Sequence, residues 1–114
     1  MDLSENAVSH IPPNSWEITH KNAECFFTAK GSHGRIYHLF VPESLREQGL
    51  GSALLTRAVD TLRTEADVET ISIQVRETNG ATESFLQKHG FSTTPHTASD
   101  PDRIVIDGVL TLTP

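Results

Sequence analysis

Residues 35–62, RIYHLFVPESLREQGLGSALLTRAVDTL, constrain the fold more than any other stretch. An apolar run at 36–41 predicts a strand that Pro42 ends, and a polar turn then carries Gly49 and Gly51. After them Ala53, Leu54, Leu55, Ala58, Val59, Leu62 and Ala66 recur at the spacing of one helix face. A strand that passes through a glycine turn into a helix makes an anion site. The first amides of the helix lack intrahelical partners, and its dipole places about half a positive charge there. Phosphate suits such an end.

Residues 67–69 break the helix, and Ile71, Ile73 and Val75 alternate with Ser72 and Gln74 as a second strand. Strand, helix and strand in this order predict a right-handed parallel crossover between 36–41 and 71–75. The near-continuous apolar run at 36–41 suggests burial on both faces. Upstream, Trp16 and Ile18 alternate with polar neighbours, and 23–30 follows after Lys21 and Asn22, which reads as an antiparallel hairpin. Residues 1–14 carry Pro12 and Pro13 without any period and read as an irregular arm or an irregular edge segment. Downstream, Asn79 suits a helix N-cap, Lys88 and His89 fit the last turn, and Gly90 can take the left-handed stop, with Phe91 packing back. Residues 92–103, with Pro95, Asp100 and Pro101, read as a mobile loop, and 104–112 as a closing strand bent at Gly108.

With 114 residues, 36% hydrophobic and 21% charged, the chain has room for one α/β (α+β) domain spanning 1–114. Its net charge of -6 argues against nucleic acid as a partner, because phosphate-backbone binding needs a basic face. An anionic ligand must be held by local field. Cys25 is the only cysteine, so no intrachain disulfide forms and a Cys-rich zinc site is excluded; no metal is expected. The N-terminal residues lack the pattern of a secretory signal, and no stretch approaches the ~20 apolar residues that span a bilayer. A cytoplasmic location without membrane contact is the expectation.

Val41, then Arg46, Gly49 and Gly51 in REQGLG, the amphipathic helix, the next strand, Asn79 and the KHGF ending at Phe91 together resemble the acyl-CoA-binding core of the GNAT (GCN5-related) N-acetyltransferases. The family's Q/RxxGxG/A turn is matched by Arg46, Gly49 and Gly51. That short pattern gains its specificity from the strand before it, the helix after it and the asparagine-to-GF segment. The resemblance covers about residues 34–93. It implies a mixed, mostly antiparallel sheet with a central splayed parallel strand pair and flanking helices, and acetyl-CoA as cofactor. It further implies coenzyme A contacts from Leu39, Phe40 and Val41, from Arg46, Glu47, Gln48, Gly49, Leu50, Gly51 and Ser52, and from Asn79. The pantetheine arm would lie between 39–41 and 73–75 and bond to backbone like an added strand. Gly49 and Gly51 lack the Cβ that would hold a phosphate away from nearby amides. Each feature also has a plainer role: the glycines as a tight turn, Arg46 as a solvated charge, Asn79 as a cap.

Acetylating an amine needs a neutral amine, a stabilised oxyanion and a tolerable thiolate. Backbone amides near Val41 can serve the oxyanion. Tyr37 and His38 lie on the central strand, and His38, which titrates in the useful range, is the candidate base. The chain departs from the family in two ways. Leu86 stands where the family often has the tyrosine that protonates the thiolate, and the direction of nearby Ser84 cannot be read. Residues 1–14 are also too short for the two helices that usually wall the acceptor side, so the groove is shallow, built by 92–103, or completed by another subunit, which makes a homodimer plausible. Asp100 and Asp102 could attract a cationic amine there. Cys25 reads as a core residue. Two functions remain open: an N-acetyltransferase acting by direct transfer to an amine, and a noncatalytic acyl-CoA-binding or regulatory module of the same fold. A third reading is a structural domain with a coincidental glycine turn.

Overall fold

The computed structural model describes residues 8–45, 49–77, 81–97 and 104–112. Their elements run β1 (Val8–Ile11), β2 (Ser15–His20), β3 (Ala23–Lys30), β4 (His33–Phe40), a short 3-10 turn (Glu43–Leu45), α1 (Leu50–Glu65), β5 (Thr70–Glu77), α2 (Ala81–Lys88), β6 (Ser92–Thr97) and β7 (Ile104–Thr111). The strands form one sheet in the order β1-β2-β3-β4-β5-β7-β6. Only β4 and β5 pair in parallel, joined through α1 as the crossover. The other pairings are antiparallel.

The apolar stripe of α1 explains the core. Leu54, Leu55, Ala58 and Leu62 are fully buried and form one cluster with Trp16, Ile18, Ala23, Cys25, Phe27, Ile36, Ile71 and Ile73. These strand residues belong to one face of the sheet, since β2 and β3 alternate buried and half-buried along their length. Both helices lie on that face. Gly51 of α1 sits beside Phe85 of α2, and Ser52 Oγ is hydrogen-bonded to His89 Nε2 at 2.9 Å. Among the described residues no helix covers the opposite face. Asp67, at a left-handed φ of 52°, follows the end of α1 as the 67–69 break predicts. Gly90, at φ 89°, takes the left-handed stop after α2, and Phe91 N–H then donates to the Leu86 carbonyl.

Four expectations are corrected. Within the arm assigned to 1–14, Val8–Ile11 is a strand paired with β2, and His10 stacks on Trp16 at 4.9 Å. Four residues ahead of two prolines are too few to reveal a period. Within 92–103, Ser92–Thr97 is an edge strand on β7, where Pro95 is tolerated because one side of an edge strand needs no donor. Residues 98–103, with Asp100 and Asp102, lie outside the described residues. β4 is not buried on both faces: Tyr37 and Phe40 are exposed, because helices pack on one side only. Finally, β7 keeps an unbroken register through Gly108, so the glycine marks packing and not a bend.

A Cβ at Gly108 would stand 3.0 Å from Ile73 Cγ2 and 3.3 Å from both Leu86 and Phe91. Gly108→Val therefore overfills the junction of β5, β7 and α2, and urea unfolding is expected to read a loss of about 1–3 kcal/mol.

Candidate functional site

The site follows from an irregularity in β4. Against β3, Phe26 faces His38 and Phe27 faces Ile36, so Tyr37 is an extra residue on β4, a β-bulge. Its first consequence is a change of side. Before the bulge Gly34 and Ile36 face the helices; beyond it Leu39 and Val41 pack against the core cluster, while His38 and Phe40 share the uncovered face with their β3 neighbours Phe26 and Glu24. The second consequence is that β4 leaves β5. Their parallel ladder runs from His33↔Thr70 to Ile36↔Ile73 and ends there, although β4 continues to Phe40 and β5 to Glu77. The closed end is braced by His33, whose Nδ1 and Nε2 lie 2.8 and 2.9 Å from Thr70 Oγ1 and Ser72 Oγ. Beyond Ile36↔Ile73 the two strands run on without pairing to each other, and this splay is the cleft between them.

Past β4 the chain turns through Pro42 and Glu43–Leu45 to Gly49, which precedes α1 at φ 79°, ψ 6°. No side chain caps this helix end, and a Cβ on Gly49 would meet nothing within 4 Å. Among the described residues the amides of the first turn thus have no side-chain cap. A Cβ on Gly51 would be 3.7 Å from Phe85 and 3.8 Å from Val41, which brings the helix start against both the exit of β4 and α2. Leu50 is buried, so only its backbone is available to a ligand. The bulge, the cleft and the open helix start fit a ligand with a phosphate group and a thin, strand-like arm.

Among sequence-derived candidates, Tyr37, His38, Leu39 and Phe40 lie on β4 at and beyond the bulge, Gly49, Leu50, Gly51 and Ser52 lead into α1, and Val41 joins the two groups through its approach to Gly51. Arg46, Glu47, Gln48 and Asn79 lie outside the described residues. Tyr37 is exposed at the bulge. His38 stacks on Phe26 at 4.7 Å, and its Nε2 is sealed from solvent without a hydrogen-bond partner among the described residues. That atom lies 3.5 Å from Glu24 Oε1, a distance of electrostatic attraction, while the His38 side chain as a whole is 40% exposed. Glu24 and Phe26 are neighbours that sequence reasoning missed. The alternation of β3 was readable, but the register that sets them beside His38 was not.

Leu86 is fully buried beside Gly108 and Ile73, and Ser84 is exposed. Leu86 has no proton to give. Cys25 is buried on the core side, where desolvation pushes its thiol up to about 12 and keeps it protonated. Among the described residues no group of three or more His, Cys, Asp or Glu could hold a metal ion, and no helix is long and apolar enough to cross a membrane.

His89, next to Ser52, is held below the usual histidine range by desolvation and then by the Lys88 charge. Its protonation disfavours the folded state, so the stability it contributes is present above the unfolded value and lost as pH falls through the folded one. Thermal unfolding followed from about pH 7 to about pH 5 is expected to show falling stability. His89→Gln, which can still bond to Ser52, should flatten part of that fall.

The comparisons agree with this geometry. A family model described as Acetyltransferase (GNAT) family matches residues 10–91. An acetyltransferase from Bacillus cereus ATCC 14579 has a TM-score of 0.75 over 96% of this chain and 80% of its own, at 22% identity. A GNAT family acetyltransferase from Elizabethkingia anophelis, solved with acetyl-CoA bound, gives 0.68 over 86% and 75%, at 15% identity. The ribosomal-protein-S18-alanine N-acetyltransferase from Escherichia coli gives 0.69 over 95% and 71%, at 21% identity. No curated protein matches in sequence. The solved structures share the fold, and the family model spans more than half of the chain: it belongs to the GNAT family of acetyltransferases.

Proposed function

We propose that this acetyltransferase acts by direct attack of an amine, with its cofactor between the start of α1 and the splayed strands and with His38 as general base. The family uses acetyl-CoA and the chain is an acyltransferase of that kind. The observation that carries the site is the end of the β4–β5 ladder at Ile36↔Ile73, directly after the Tyr37 bulge and just before the chain enters a helix led by Gly49.

Backbone N–H groups of Gln48, Gly49, Leu50, Gly51 and Ser52 hold the pyrophosphate, helped by the helix dipole and by Arg46, with Glu47 in the same turn, and Asn79 flanks the far end of the pantetheine arm. The edge of β4 at Leu39, Phe40 and Val41 holds the pantetheine arm. Acetyl-CoA supplies an activated thioester carbonyl and a thiolate leaving group. Main-chain amides at the splay polarise that carbonyl, a role in which one donor is commonly worth about 10²–10³ in rate. His38 accepts the amine proton. With Nε2 sealed from solvent beside Glu24, Nδ1 is the nitrogen left to take the proton. Tyr37, exposed at the bulge, flanks the entering amine. Leu86 leaves the thiolate to be protonated by water, which a thiol of pKa about 8.5 permits. A cytoplasmic location accords with a single, buried cysteine.

Free-thiol release from acetyl-CoA, measured with and without a panel of amines, tests this reading. Amine-dependent release is the expected result. Binding of acetyl-CoA with no release for any amine would favour the noncatalytic module.

A further inference from the structure

The uncovered face of the sheet carries an unused set of aromatic rings. Ile11, Tyr37, Phe40 and Val109 are exposed large hydrophobics, 41–49% accessible. Pairing places Ile11 opposite Ser15, Phe40 opposite Glu24 and Val109 opposite Ser72, all on the side away from α1 and α2. Two of them, Tyr37 and Phe40, stand where β4 leaves β5. There they join Phe26 and His38 in one group: His38 lies 4.7 Å from Phe26 and 6.4 Å from Phe40, and Phe26 lies 6.2 Å from Tyr37. Exposed rings gathered in this way mark a binding surface more often than scattered apolar residues do.

We infer that this ring cluster is the acceptor site, and that it takes a primary amine borne on an aromatic group, an arylalkylamine. The inference rests on the acetyltransferase reading above. With the phosphates held on the helix side at 49–52, the cleft opens its other side to this face. Ring faces attract an ammonium as it arrives and stack with a flat apolar group behind it. Charge complements the rings. Glu24 lies beside His38, and Glu17 faces Phe26 across β2 and β3, so this end of the patch is anionic. Arg35, the basic residue on β4, lies on the far side of the bulge, opposite Thr28. Across the cleft Asp107 accepts from Gln74 Nε2 at 2.8 Å. Asp107 is thus engaged by Gln74, while Glu17 and Glu24 stand together at one end of the rings. A polyamine or an aminoglycoside would instead require carboxylates spaced along the whole surface.

The test measures acetylation of 2-phenylethylamine, n-butylamine, spermidine, kanamycin and a short peptide with a free N-terminus, with acetyl-CoA affinity followed calorimetrically. The expected result is a kcat/KM for 2-phenylethylamine at least about 10-fold above each of the others, the value of one good ring contact. Phe40→Leu, which keeps an apolar side chain without the ring, should raise KM for 2-phenylethylamine and shrink its advantage over n-butylamine. Preference for spermidine, kanamycin or the peptide would overturn the inference while leaving the acetyltransferase reading intact. So would an unchanged preference in folded Phe40→Leu, or a concentration-dependent dimer that this variant dissociates. Failure to bind acetyl-CoA, or to acetylate any amine, would instead count against the underlying function.

Discussion

Gly49→Glu is expected to abolish measurable acetyl-CoA binding while the protein remains folded. Two effects act. Gly49 holds φ 79° immediately before α1, a left-handed geometry that costs a residue with a Cβ about 1–2 kcal/mol. A carboxylate there also stands where the proposed site holds the pyrophosphate, and two like charges at about 4 Å repel by about 4 kcal/mol at an effective dielectric constant of about 20. Half of that repulsion weakens binding by about 30-fold and all of it by about 10³-fold, while the strain lowers stability with or without the ligand. Because nothing lies within 4 Å of the Gly49 Cβ position, the substitution creates no clash with the core. Calorimetric titration reads the loss, and circular dichroism checks the fold. Gly49→Asn, which tolerates the left-handed region without added charge, should keep most of the affinity. Unchanged acetyl-CoA affinity in folded Gly49→Glu would refute the phosphate assignment.

His38→Ala is expected to lower kcat/KM by about 10²-fold or more, the usual contribution of a positioned base, with acetyl-CoA affinity little changed. The pH profile separates a base from a merely structural ring. Without a base the enzyme depends on amine already neutral in solution, so its rate should keep rising with pH toward the amine's own pKa, about 10.4 for a lysine-like amine. Since His38 also stacks on Phe26, His38→Phe serves as the control that preserves ring packing. It should be as slow as His38→Ala yet unfold at a higher denaturant concentration. Full activity in either variant would remove His38 from the mechanism.

Much of this architecture was legible because it is local. The stripe from Ala53 to Leu62 has helical spacing, Gly90 precedes an aromatic residue that packs back, and a strand, a helix and a strand close into a parallel crossover. Leu86 was correctly read as unable to give a proton, and it proves to be buried. What the sequence concealed is long-range. The Tyr37 bulge exists only in the register between β3 and β4, yet it turns His38 and Phe40 away from the helices and ends the pairing to β5. Glu24 enters the site for the same reason, thirteen residues or more from the nearest member of the β4 group in sequence but 3.5 Å from His38 in space. β1 escaped notice because four residues beside Pro12 and Pro13 show no period, and β6 because Pro95 suggests a loop unless the strand is known to lie at an edge.

Amide hydrogen exchange with and without acetyl-CoA tests the central claim most directly, because it reads where the cofactor sits residue by residue. Slower exchange at residues 49–52 and along 39–41 on adding acetyl-CoA is the predicted result. Saturating acetyl-CoA that leaves both segments unprotected, or protects a different part of the surface alone, would contradict a cofactor held between the start of α1 and the splayed end of β4.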